Sequence, residues 1–317
     1  MRRLWLVLVG VLLGACARKP PRSDLSNEAR DFSRYPAAEG VPGCSLYGEP
    51  RQTGSPPNTG RVPLVLAELS GLAASHRHPG VFWTHNDSGN AFRVFAINEV
   101  GTVLATLTLT GVDEKELPRM DLEDIAVGPC GSRSCLYVAD IGDNFERRQR
   151  VRILRFPEPE AVEDATLSVE VLPFTYPDRP HDAESLVIER STGRLAVITK
   201  ARDTLGEVFA LDGLAPDTVT KATRLGELRA PGDVDFRTTS AALHESGQRL
   251  LLRTYTRVWE VRRPGATRLE ELVQGQVAEV PGPSQAQSEA ITYLPGGRAY
   301  LVGSEFAAQL LYRVDCR

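Results

Sequence analysis

From residue 69 onward, short apolar runs alternate with short polar breaks, and five segments repeat one pattern of a polar residue followed by small and apolar positions. They are Ser70-Gly71-Leu72-Ala73-Ala74, Glu123-Asp124-Ile125-Ala126-Val127, Glu184-Ser185-Leu186-Val187-Ile188, Thr239-Ser240-Ala241-Ala242-Leu243 and Glu289-Ala290-Ile291-Thr292-Tyr293. Their first residues are 53, 61, 55 and 50 positions apart. A second apolar run follows each, at 81–84, 136–139, 195–199, 250–254 and 299–303, and then a third, at 92–97, 151–156, 208–211, 258–261 and 310–314. The runs are β-branched or aromatic and are separated by Gly, Pro, Asn and Asp, which predicts short strands joined by tight turns. A period near 50 residues with about four strands per unit is that of a β-propeller blade. A two-sheet sandwich would not produce five copies at near-equal spacing. The pattern therefore predicts an all-β propeller of five blades, with a sixth only if residues 17–60 or 215–238 hold an atypical one. The last unit runs out of chain after its third strand. Closure by an N-terminal strand follows, with the apolar stretch Val62 to Leu69 as the candidate.

The amino terminus has a different pattern. Arg2 and Arg3 precede the apolar run Leu4 to Leu13, ten residues long and too short to span a bilayer. The run ends in Leu13-Gly14-Ala15-Cys16, which resembles the bacterial lipobox. That resemblance implies a signal peptide over 1–16, a diacylated thiol at Cys16, and attachment to the membrane by lipid, palmitate included. An ordinary secretory signal or a short anchor helix is the alternative. Ala17, rather than Asp, follows the cysteine, so inner-membrane retention is not signalled. The expected address is the bacterial cell envelope, at the outer membrane or facing the periplasm. Residues 17–60 are rich in Pro, Ser and Arg without a sustained period and read as a flexible tether, leaving 61–317 for the propeller.

Composition narrows the partners. A net charge of -4 over 317 residues argues against a nucleic-acid binder that lives on phosphate contacts. Lysine occurs only at Lys19, Lys115, Lys200 and Lys221, so 33 of the 37 basic residues are Arg, a skew of base composition rather than function. Beyond Cys16 an even number of cysteines remains, as expected in an oxidising compartment: Cys44, Cys130, Cys135 and Cys316. Cys130 and Cys135 bracket a turn-like stretch, which predicts a bond across a hairpin and leaves Cys44 to pair with Cys316. Free thiols or a metal site are the alternatives, although neither spacing matches a paired zinc motif.

Candidate chemistry lies at the blade starts. Glu123, Glu184 and Glu289 share one repeat position and should ring one mouth of the central channel, with Asp121, Asp182 and Gln287 two residues earlier. The ends of the second strands add Asn86-Asp87, Asp140 with Asp143-Asn144, and Glu305. Converging carboxylates repel unless they are protonated, paired with Arg or Lys, or bound to a hard cation such as calcium. The structural alternative is that each Glu caps backbone amides between neighbouring blades. His85 and His181 are placed where a base could act, while His76 and His78 fall in a turn before Pro79-Gly80. The stretch Arg147 to Arg152 could meet phosphate or anionic lipid, or simply face solvent. The chain has no phosphate-binding glycine loop, no Gly-x-Ser-x-Gly elbow and no His-Glu-x-x-His pair, which removes nucleotide kinases, ordinary α/β-hydrolases and thermolysin-like proteases.

The segments Leu122-Glu123-Asp124-Ile125-Ala126, Asp140-Ile141-Gly142-Asp143-Asn144, Asp182-Ala183-Glu184-Ser185-Leu186 and Ser288-Glu289-Ala290-Ile291 resemble exported bacterial propellers of the esterase-like phytase and SdiA-regulated type. More distantly they are similar to the gluconolactonase and paraoxonase propellers. The likeness spans about residues 62 to 317. It implies a calcium ion in the channel that polarises a lactone or ester, with Glu123, Glu184 or Glu289 as the ligand Glu and Asp87, Asp140 and Asn144 as companions. The full Asn/Asp ligand set of the lactonases, their His base and the dense acidic array of propeller phytases are not found in register. Two functions follow: a lipid-anchored binding or scaffold module that engages an envelope protein or small molecule, or a calcium-dependent esterase, lactonase or phosphoesterase.

Overall fold

The computed structural model describes residues 46–55, 58–59, 63–87, 92–113 and 120–316. Within them the repeat becomes five sheets of four antiparallel strands, and Ala165–Ser168 and Thr220–Lys221 add a parallel strand at the outer edges of the first and second. Blade 1 comprises Leu69–Ala74, Val81–Asn86, Arg93–Asn98 and Val103–Thr110. Blade 2 comprises Leu122–Cys130, Arg133–Asp140, Val151–Pro157 and Glu170–Thr175. Blade 3 is built from Ala183–Ile188, Leu195–Thr199, Gly206–Leu211 and Thr223–Leu228, and blade 4 from Thr238–Leu243, Arg249–Thr254, Val258–Arg262 and Gln276–Val280. Blade 5 takes Ser288–Tyr293, Ala299–Ser304 and Tyr312–Asp315 from the carboxyl end and Arg51–Gln52 from the amino end. Each inner strand touches those of the two neighbouring blades, and the fifth returns to the first, so the ring closes around a channel.

The centres of the second strands are apolar because they are buried on both faces, while polar residues such as Thr84, His85, Arg249 and Arg253 are buried toward their ends. Side chains alternate across a strand, so successive residues go to opposite blade interfaces. Trp83 packs into the core between blades 1 and 2, while its neighbour Phe82 packs between blades 5 and 1. Tyr137 likewise serves the interface of blades 2 and 3, and Leu136 and Val138 that of blades 1 and 2. Five apolar clusters result, one per blade interface.

The closing strand is not the apolar stretch before the first repeat. Arg51 lies opposite Arg313 and Gln52 opposite Tyr312, whereas Leu64–Leu66 forms one 3-10 turn with Leu64 80% exposed. The reason is spatial: closure happens at the outer edge of blade 5, and the chain needs the residues after it to travel to the axis, where Leu69 begins. The propeller therefore reaches back into the segment read as tether. Tyr47 bridges to Cys316, the Gly48 amide donates to the Asp315 carbonyl at 2.8 Å, and the Tyr47 hydroxyl donates to Glu260 Oε1 at 2.6 Å. The 215–238 stretch supplies the outer strand of blade 3 and no sixth blade.

Cys130 and Cys135 form the hairpin disulfide, with their Cα atoms 5.8 Å apart. Cys316 is also disulfide-bonded. Cys44, its expected partner, lies outside the described residues, as do Cys16, the signal segment, Val62 and residues 17–45. No helix among the described residues is long and apolar enough to cross a membrane.

Candidate metal centre at the channel mouth

Every inner strand carries a β-bulge near its start, where one residue has no partner on the second strand: Gly71, Glu123, Glu184, Thr239 and Glu289. A bulge interrupts strict alternation and re-aims a side chain. The repeat aligns on Gly71, one place along from the Ser70 of the sequence pattern. Gly71 has φ +71°, and a Cβ there would lie 2.9 Å from the Asp124 Cα, so blade 1 contributes only backbone at this level. The hydroxyls flanking the acidic positions are structural: Ser70 donates to the Glu123 carbonyl and Thr239 to the Ser288 carbonyl, both at 2.7 Å.

A second repeat position completes the mouth. The residue after the second strand donates its amide to the residue just before the inner strand: Asp87 to Glu68 at 2.9 Å, Ile141 to Asp121 at 3.2 Å, Lys200 to Asp182 at 2.8 Å and Glu305 to Gln287 at 2.9 Å. In blade 4 the corresponding places hold Arg237 and Tyr255, and the Tyr255 ring lies 4.9 Å from the Arg237 guanidinium and 5.1 Å from the Lys200 ammonium. The mouth is thus uneven: acidic side chains come from blades 1, 2, 3 and 5, while blade 3 also brings Lys200, ion-paired with Glu184, and blade 4 brings Arg237, ion-paired with Asp235.

Asp87, Asp121 and Glu123 converge most closely. One oxygen from each lies within 4.8 Å of the others. Oxygens on opposite sides of a calcium ion bonded at about 2.4 Å are about 4.8 Å apart, so the separations are within the span of one such ion's ligands. A Cβ at Gly142 would run into the carboxylates of Glu123 and Asp121, and the bare glycine backbone is what leaves them room. The donor set is all oxygen, the chemistry of a hard cation.

Electrostatics record the crowding. Burial first, then Glu184, Asp87 and Asp121, push the Glu123 carboxyl well above its ordinary range, with Lys200 opposing. Burial and Glu184 do the same to Glu289. Glu184 is raised to about 7 by burial, with Asp182 and Asp121 adding to it, against the pull of Lys200. Glu305 also reaches about 7, through burial and Glu68. Burial works against the Lys200 charge, but Glu184, to which it is ion-paired, together with Tyr255, Glu289 and Glu123, outweighs it and holds the ammonium protonated.

The other predicted residues are placed elsewhere. Asp140 is fully buried and committed to Arg148 at 2.7 Å and Arg152 at 2.5 Å, and it accepts the Asp121 amide at 3.0 Å. It supports a ligand instead of being one, because two guanidiniums neutralise it. Asn144 is exposed on the turn after the second strand of blade 2. His85 is wholly buried; its Nδ1–H donates to the Asn86 carbonyl at 2.9 Å, and burial lowers its pKa to about 4. His181 is packed between Tyr176 and Phe209, with Nε2 3.0 Å from Asp178. His78 Nε2 lies 2.8 Å from the Pro159 carbonyl. The Arg147–Arg152 stretch is divided, since Arg148 and Arg152 serve Asp140 while Arg147 lies over Phe145.

Sequence reasoning missed Lys200, Arg237 and Tyr255, which extending the repeat by one residue past each second strand, and one before each inner strand, would have found. It also missed Asp124. This carboxylate crosses the axis and accepts from the amides of Ile125 and Leu186 at 2.9 Å and of Ala241 at 3.3 Å, and from the Ser240 hydroxyl at 3.2 Å. Asp124 therefore performs the inter-blade amide capping that the structural alternative gave to the Glu set.

No family model matches the sequence, and no curated protein matches it. Among solved structures the chain is similar to a gluconolactonase from Xanthomonas campestris, with 12% identity, a TM-score of 0.47, and coverage of 91% of this chain and 99% of that one. A likeness at that level says nothing about activity, and the five blades stand on this chain's own sheets.

Proposed function

We propose that this protein is a cell-envelope binding module whose propeller holds a divalent hard cation, calcium foremost, at its acidic channel mouth. Convergence of Asp87, Asp121 and Glu123 within 4.8 Å carries the reading. These three residues would hold the ion, which supplies Lewis acidity to an oxygen of the bound ligand. Asp140 fixes the backbone of Asp121 through the Asp121 amide. Lys200 is ion-paired with Glu184, the carboxylate that presses hardest on Glu123, and so offsets part of the repulsion beside the three ligands. Isothermal titration with calcium and magnesium tests the reading: one strong calcium site lost in Asp121→Asn supports it, and heat unchanged by the substitution contradicts it.

A second reading, a calcium-dependent esterase, lactonase or phosphoesterase, draws on Glu184 and Glu305. Both have pKa values raised to about 7, where a carboxyl can give or take a proton at neutral pH. Turnover of a lactone, ester or phosphoester that requires both calcium and Glu184 would select it over the binding module. It would also favour kinship with the esterase-like phytase and SdiA-regulated propellers. For the address, we propose anchoring through lipid on Cys16 in the bacterial envelope, with an envelope protein or small molecule as partner. Metabolic labelling with palmitate, abolished by Cys16→Ser, tests it.

A further inference from the structure

Asp124 seals the channel midway, and beyond the seal the other end opens as a well of about 180 Å³. Its wall is apolar, built from small residues of several blades including Ala74, Ala126, Val187 and Ala242. Its rim is charged: Arg190 of blade 3 is ion-paired with Glu245 of blade 4 at 3.0 Å, and both are exposed. His76 of blade 1 completes the rim; burial and Arg190 lower its pKa, so the imidazole is neutral near pH 7.

The well and its rim constrain an occupant separately. An apolar cavity of about 150 Å³ is enough for benzene, so this one takes a side chain of that size. A ligand bearing only an anion would take Arg190 from Glu245 and strand the carboxylate, and one bearing only a cation would strand the guanidinium. A zwitterion replaces both halves of the pair at once, and an exposed ion pair costs little to open. We infer that this mouth binds a free hydrophobic α-amino acid, with its side chain in the well, its carboxylate on Arg190 and its ammonium on Glu245. This site is independent of the cation site at the opposite mouth.

The test is a calorimetric titration of the purified full-length protein with L-phenylalanine, 3-phenylpropionate and phenethylamine. L-phenylalanine should bind, and each single-charge analogue should bind about tenfold more weakly or worse, the effect of losing one charge-assisted hydrogen bond. Arg190→Gln and Glu245→Gln should each cost a similar factor, and Ala242→Leu, which fills the well, should abolish binding. A cooperative thermal melt and the native circular-dichroism spectrum in all three variants show that they fold. Absence of L-phenylalanine binding to the native protein, or equal binding of the analogues, overturns the inference.

Discussion

Lys200 acts on Glu184, Glu123 and Glu289 at the acidic mouth, opposing the rise of all three carboxyls. It and Glu184 are both largely buried, with side-chain exposures of 11% and 5%. Removing one partner of a buried pair costs about 3–5 kcal/mol when the other stays charged. Lys200 holds the Glu184 pKa down, so in Lys200→Met it rises further. At pH 8 the folded state must then keep the carboxyl protonated against the solution or bury it charged and unpaired, which should destabilise the protein strongly. At pH 5 the carboxyl keeps its proton and the loss should be much smaller. Denaturant melts at the two pH values check this, and an equal loss at both contradicts it. Glu123→Gln should act in the opposite sense, raising the melting temperature without calcium by relieving repulsion and removing the rise with calcium. These roles were only partly legible in the sequence. Glu123, Glu184 and Glu289 stood out because the repeat aligned them, and Asp87 because it ended a strand. Asp124 did not, because a strictly alternating strand would send it away from the channel and the bulge sends it in.

At the scale of elements, the second strands were legible because double-sided burial gives each an apolar centre, as in Leu250-Leu251-Leu252. The closing strand was not: Arg51–Gln52 is two exposed polar residues, and only its pairing with Tyr312–Asp315 marks it. The loop after the second strand of blade 2 is where local backbone controls the candidate centre. Gly142→Ala should cost about 1–3 kcal/mol of stability by overpacking and should weaken calcium binding further, because the new methyl meets Glu123 and Asp121. Titration of this variant with calcium checks it; native affinity would mean that the loop does not shape the site.

At the scale of the molecule, closure and charge both bear on stability. A chain beginning at residue 53 loses the Arg51–Gln52 strand and the Tyr47–Glu260 bond. It should melt cooperatively at a markedly lower temperature than one beginning at Ala17. Coincident melts would show that closure contributes nothing. Charge makes the fold pH-sensitive. Glu184 and Glu305 titrate near 7 in the folded chain against 4.5 for the ordinary group. The folded state therefore holds more protons, and their contribution is full below about pH 4.5 and is lost as pH rises through 7. A cation that binds the ionised carboxylates reverses this trend, since its ligands must be deprotonated.

The most direct test of the cation site is thus the thermal melt of residues 17–317 with calcium and with excess chelator, at pH 8 and at pH 5. Calcium at 100 times its dissociation constant adds about 2.7 kcal/mol, or about 5 °C or more for a domain of this size. We predict that rise at pH 8, a smaller one at pH 5, and none in Glu123→Gln. Identical melts with calcium and chelator at pH 8 would contradict the account.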